Sequence, residues 1–126
     1  MEFIIIDDSA FDLFTQEKLL LKSGLASKVQ TFFSPQTALE HLRSHSSGIC
    51  DTVILVDLQM PELNGFEFAE RYGLLPEEVR GHIRLFMISS TVDSSDIDEA
   101  ESNPHIIKLL SKPLEIPVLK GLLNEC

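Results

Sequence analysis

The chain has 126 residues, a formal charge of −10 and an apolar fraction of 44%, which suits one domain over residues 1–126 with a core that needs no disulfide or metal staple. The charge argues against nucleic acid, whose phosphates call for Lys and Arg, and no apolar run approaches the roughly 18 residues that span a membrane. The N-terminus reaches Asp7 and Asp8 without a basic leader, so no secretory signal and a cytoplasmic location are expected.

Apolar runs alternate with helical patterns along the whole chain. Phe3-Ile4-Ile5-Ile6 reads as a strand buried on both faces of a parallel sheet. Residues 9 to about 22 carry Phe11, Phe14, Leu19 and Leu20 at helical spacing, and Gly24 ends that helix. Residues 29–33 form a second, more exposed strand. Ser34 then caps a helix with Pro35 at its first position, running to about residue 45. Residues 45–48 read as a loop. The third strand, 52–56, is the most β-branched, and Met60 to Gly65 is a turn before a helix from about 66 to 72. Residues 73–81 form a longer connection with room for a helical turn at 76–79, read as a surface insertion.

Strand four spans 83–88. A polar helix over 93–102 has acids near its start, where the helix dipole favours them. Strand five spans 106–110, and a last helix covers about 116–124 with Pro117 in its first turn. The fold class is therefore α/β: five βα units, (βα)5, forming a five-stranded parallel sheet with helices on both faces, in one of the few topologies that right-handed crossovers allow. Cys50 and Cys126 lie in no CxxC or Cys/His cluster and read as free thiols.

Sheets of this kind bind ligands outside the carboxyl ends of their strands. Asp7-Asp8 follow strand one, Asp57 strand three, Ser89-Ser90-Thr91 strand four and Ser111-Lys112-Pro113 strand five. Each piece alone has an ordinary explanation: Asp and Ser cap helices and make turns, and a lone Lys is usually solvated. Together they aim three carboxylates, hydroxyls and one ammonium at one end of the sheet. Clustered carboxylates repel one another, and a hard dication with oxygen ligands relieves that repulsion. Mg²⁺ in turn offsets charge at a phosphoryl group, and a Lys, a hydroxyl and backbone N–H groups near Ser90 can hold the other oxygens.

At these residues the sequence resembles the receiver domains of two-component signalling, over essentially the whole chain. The matching parts are Asp7-Asp8, the block Asp57-Leu58-Gln59-Met60-Pro61 with Asn64-Gly65, Ser89 followed by Ser90, and Lys112-Pro113. The resemblance implies a flavodoxin-like fold with strand order 2-1-3-4-5, Asp57 as phosphoacceptor, and Mg²⁺ held by Asp8, Asp57 and the backbone carbonyl of Gln59, with Asp7 acting through water. It implies that Ser89 binds a phosphoryl oxygen and that Lys112 pairs with the phosphate or with Asp57, across a cis Lys112-Pro113 peptide. Gly65 is expected to close the turn over the site with a positive φ. Gln59 and Thr91 are expected to tune the lifetime of the phosphoryl group.

Two positions depart from the family pattern. Leu109 stands where receivers usually carry an aromatic residue, which puts the ring-rotation version of the switch in question. Ser stands at 89 in place of the commoner Thr.

The implied partners are a sensor histidine kinase or a histidine phosphotransfer protein, and a downstream protein that binds the face of the fourth helix, fifth strand and last helix. No nucleic acid or membrane partner is expected. Because the chain ends at Cys126, output through protein binding, a relay or a phosphate sink is expected, with no attached effector domain. The chain is not expected to be an enzyme beyond catalysing its own phosphorylation and dephosphorylation. The alternatives are a receiver-like interaction module that is never phosphorylated, and a haloacid-dehalogenase-like phosphatase. The latter would want Asp-x-Asp after the first strand, where this chain has Asp7-Asp8.

Overall fold

The computed structural model describes residues 1–44 and 51–125. Cys50, Cys126 and the loop expected at 45–48 lie outside the described residues. The elements are β1 (Glu2–Ile6), α1 (Ala10–Ser23), β2 (Lys28–Phe32), α2 (Pro35–Ser44), β3 (Thr52–Asp57), α3 (Gly65–Tyr72), α4 (Glu77–Arg80), β4 (Ile83–Ser89), α5 (Ser94–Ser102), β5 (Ile106–Ser111) and α6 (Ile116–Glu125). The strands form one parallel sheet, as the alternating pattern predicts, in the order β2-β1-β3-β4-β5 that the resemblance implies.

Strand alternation divides the core between the two faces of the sheet. Phe3, Ile5, Val53, Leu55, Phe86 and Ile88 pack with Leu13 and Leu20 of α1 and Leu119 and Leu123 of α6. Ile4, Ile6, Ile54, Val56, Leu85 and Met87 pack on the other face with Leu42 of α2, Phe68 of α3, Val79 of α4 and Ala100 of α5. Every residue of β3 is buried, from Thr52 to Asp57. Each large apolar side chain so enclosed contributes about 1.5–3 kcal/mol, so the centre of the sheet is the most firmly held part of the molecule.

The helix ends follow local chemistry. The Ser9 hydroxyl accepts from the Asp12 N–H at the start of α1, and Gly24 ends that helix in the left-handed region at φ 79°. Asn64 and Glu67 form a reciprocal capping box on α3. Asp93 caps α5, and the Asp96 N–H and Ser95 hydroxyl hold its carboxyl below the usual range.

Several expectations are corrected. The buried stripe of α1 is Leu13, Gln16 and Leu20, while Phe11 is 75% and Phe14 58% exposed. Residues 73–81 are not a surface insertion: Leu75 and Val79 are buried in the core, and Arg80 Nε donates to the Leu75 carbonyl at 2.9 Å. Gly65 has no positive φ, since Gly24 alone among the described glycines does. Its place is fixed instead by close approach, because a Cβ there would stand 3.0 Å from Leu58 Cα and 3.1 Å from the Asp57 carbonyl oxygen.

β5 carries an irregularity. Leu85 pairs with Ile106 and Met87 with Leu109, so two steps on β4 face three on β5. This is a bulge of one extra residue. Ile107 and Lys108 are consecutively exposed, Leu109 packs on the α2–α5 face and Leu110 on the α1/α6 face.

The glycine contacts give a paired test. Gly65→Ala should cost about 1–3 kcal/mol, because backbone atoms have to move. Gly121→Ala, in α6 with nothing within 4 Å of the added carbon, should stabilise by about 0.5–1 kcal/mol through helix propensity. Urea unfolding of the two variants checks this; a neutral Gly65→Ala would show that the turn tolerates a side chain.

Candidate functional site

The strand register decides which side chains meet. Ile6 of β1 pairs with Val56 of β3, so Asp7 and Asp57 follow at equivalent places on neighbouring central strands. Both continue the alternation of Ile5 and Leu55, on the α1/α6 side. Asp7 is 1% and Asp57 5% exposed, while Asp8 lies at the surface. The three offer carboxylate oxygens that all lie within 4.8 Å of one another.

Lys112 follows β5 and reaches the same cluster. Its N–H donates to the Ser89 carbonyl at 2.8 Å, tying the end of β5 to β4, and the Lys112-Pro113 peptide is cis. The ammonium donates to Asp7 Oδ2 and to Asp12 Oδ2, each at 2.9 Å, and stands 3.4 Å from Asp57 Oδ1. Asp7 Oδ1 accepts from the Ser9 N–H at 2.9 Å. The Asp57 carboxylate accepts from the Gln59 N–H.

Burial, reinforced by the charge of Asp7, raises the Asp57 carboxyl to about 6, against the pull of Lys112 and the Gln59 N–H. Burial alone would lower the Lys112 ammonium, but its hydrogen bonds to Asp12 and Asp7 and the charge of Asp57 raise it on balance. The cluster thus holds excess negative charge in a poorly solvated place. Its donors are all hard oxygens, and three that close together can converge on one ion with oxygens at about 2.0–2.1 Å, the Mg²⁺ distance. The residues present therefore fit a small dication.

Among the expected site residues, Asp7, Asp8, Asp57 and Lys112 come together. Gln59 contributes its N–H to Asp57, and it lines an open polar cleft with Asp8, Asn64 and Asp96. Ser89 is fully buried at the end of β4, on the opposite alternation from Asp57. Its hydroxyl donates to the Thr91 carbonyl at 2.8 Å and accepts from the Thr91 N–H at 3.2 Å.

A family model described as "Response regulator receiver domain" matches residues 3–124. The chain belongs to the response regulator receiver family. The crystal structure of a response regulator receiver protein from Dyadobacter fermentans is 70% identical, with a TM-score of 0.94, covering 99% of this chain and 96% of that one. The chemotaxis protein CheV1 of Helicobacter pylori is 33% identical over 100 residues, 79% of this chain but 30% of CheV1. This chain thus corresponds to less than a third of CheV1. The receiver domain of the histidine kinase CKI1 from Arabidopsis thaliana, crystallised with Mg²⁺ and BeF3⁻, shares the fold at TM-score 0.80 and 22% identity, covering 98% of this chain and 87% of that one.

In this receiver, the described residues include a polar contact at the site that the sequence does not single out, that of Asp12 with Lys112. Asp12 stands three residues past the N-cap Ser9, in the first turn of α1, where any helix favours an acid. The available signal was the short step from β1 to α1, which carries that first turn over the strand ends. Leu109, at the usual aromatic position, is half-buried against the α2–α5 core.

The raised Asp57 carboxyl has a consequence for stability. The folded receiver binds this proton more tightly than the unfolded chain does, so the stability it confers is full below pH about 3.8 and is lost as pH rises through about 6. In chelator, Asp57→Asn should therefore stabilise the receiver at neutral pH by roughly 1–3 kcal/mol and have little effect near pH 4. Urea unfolding of both proteins across that range checks the sign; a variant destabilised at pH 7 would contradict it.

Proposed function

We infer that this receiver accepts a phosphoryl group on Asp57 from the phosphohistidine of a sensor histidine kinase or a phosphotransfer protein, and signals by a changed protein-binding surface. The observation that carries this reading is the buried Asp57 carboxylate at the carboxyl edge of the sheet, grouped with those of Asp7 and Asp8 and within 3.4 Å of the Lys112 ammonium. The CKI1 receiver's complex with Mg²⁺ and BeF3⁻, in a domain of the same fold, supports it.

In the reaction, an Asp57 oxygen attacks phosphorus in line with the bond to the donor histidine. The new O–P bond forms as the P–N bond breaks, and the imidazole leaves with the electron pair and takes up a proton. Asp7, Asp8, Asp57 and the Gln59 carbonyl would hold Mg²⁺, which supplies charge neutralisation at the phosphoryl oxygens. Lys112 pairs with one phosphoryl oxygen. Ser89 binds another by giving up its bond to the Thr91 carbonyl, so the loop after β4 moves with it. Gln59 and Thr91, beside the site, set how readily water removes the group. The receiver is a phosphoacceptor and turns over no separate substrate.

The acyl phosphate adds charge and acceptor oxygens, and the movement of Ser89 carries the change toward α5, β5 and α6. That face presents Ile97, Ile107 and Val118, exposed by 40%, 42% and 48%, which suits a protein partner.

Incubation with acetyl phosphate and Mg²⁺, followed by intact-mass measurement, should add one phosphoryl group to the wild-type chain and none to Asp57→Asn. Chelator should abolish the gain. Equal labelling of the two proteins would move the acceptor elsewhere and overturn the reading.

A further inference from the structure

The nearest partners of the Lys112 ammonium are Asp7 and Asp12, both at 2.9 Å, with Asp57 behind them at 3.4 Å. Asp12 does not belong to the group of carboxylates that converge on one point. Among the described residues, its carboxylate meets the site through Lys112. The contact is well anchored: the Asp12 N–H is held by the Ser9 hydroxyl, and Lys112 N–H by the Ser89 carbonyl. The Lys112 side chain is 14% and that of Asp12 33% exposed, so the pair is shielded more than a surface ion pair and less than a core one.

We propose that Asp12 is a positioning residue that competes with the phosphoryl group on Asp57 for the Lys112 ammonium. The inference rests on the phosphoacceptor reading and deepens it. A phosphoryl group brings negative charge to Asp57 and needs the ammonium as a counter-charge. Asp12 offers that ammonium a second carboxylate on the helix side and keeps it shared. The same carboxylate has the opposite effect on a cation. It adds negative charge beside Asp7, Asp8 and Asp57 and draws the ammonium away from them, so a dication binds there more readily. Asp12 thus favours the receiver loaded with Mg²⁺ and disfavours the phosphorylated one.

The two effects have opposite signs, which separates positioning from damage to the fold. Calorimetric titration of wild type and Asp12→Asn with Mg²⁺, and then with BeF3⁻ at saturating Mg²⁺, measures both. Asp12→Asn should bind Mg²⁺ about three- to tenfold more weakly and BeF3⁻ about three- to tenfold more tightly, the scale of one charge-assisted hydrogen bond. Asp12→Glu, which keeps the carboxylate, should stay within about twofold of wild type on both. Changes of the same direction in both affinities, or in neither, would overturn the proposal while leaving the phosphoacceptor reading intact. A wild-type receiver that binds neither Mg²⁺ nor BeF3⁻ would overturn both.

Discussion

Three carboxylates around a single ammonium, with a fourth, Asp8, beside two of them, are the arrangement at the end of the sheet that the rest of this molecule has to support. Asp7, Asp8, Asp12 and Asp57 repel one another, and Lys112 offsets only part of that repulsion. Burial first, and the charge of Asp7 second, raise the Asp57 carboxyl to about 6. Two apolar cores, one on each face of the sheet, hold the cluster together against the repulsion. The most completely buried strand, β3, is the one that ends in Asp57.

Alternation along the strands sorts the groups by role. Asp7 and Asp57 continue the α1/α6 side of β1 and β3, and Lys112 continues the same side of β5 from Leu110. Those three therefore meet one another and the first turn of α1. Ser89 continues the opposite side of β4 and bonds to its own loop. Alternation thus places Asp7, Asp57 and Lys112 on one side of the sheet and Ser89 on the other, bonded to the segment that leads into α5.

Much of this was legible in the sequence because it depends on local signals. The alternating apolar runs, Ser34 before the second helix, and acids or Lys after strands one, three and five mark the βα units and four members of the site. The remainder depends on three-dimensional packing. Asp12 looks like any first-turn acid until Lys112, a hundred positions away, is brought to it. Phe11 and Phe14 have helical spacing, yet Leu13 and Leu20 hold the buried face and leave the two rings outside. Gly65 reads as a turn glycine because spacing does not reveal that the backbone of Leu58 presses against it.

The extra residue in β5 has a further effect. β5 forms one margin of the sheet, and such margins invite another chain to add a strand by backbone pairing. The broken ladder between Ile106 and Leu109, with Lys108 turned outward, makes this margin a poor template for that. Association through β5 then has to rely on side chains such as Ile107 meeting a complementary surface. Both features disfavour strand-by-strand extension of the sheet at this margin.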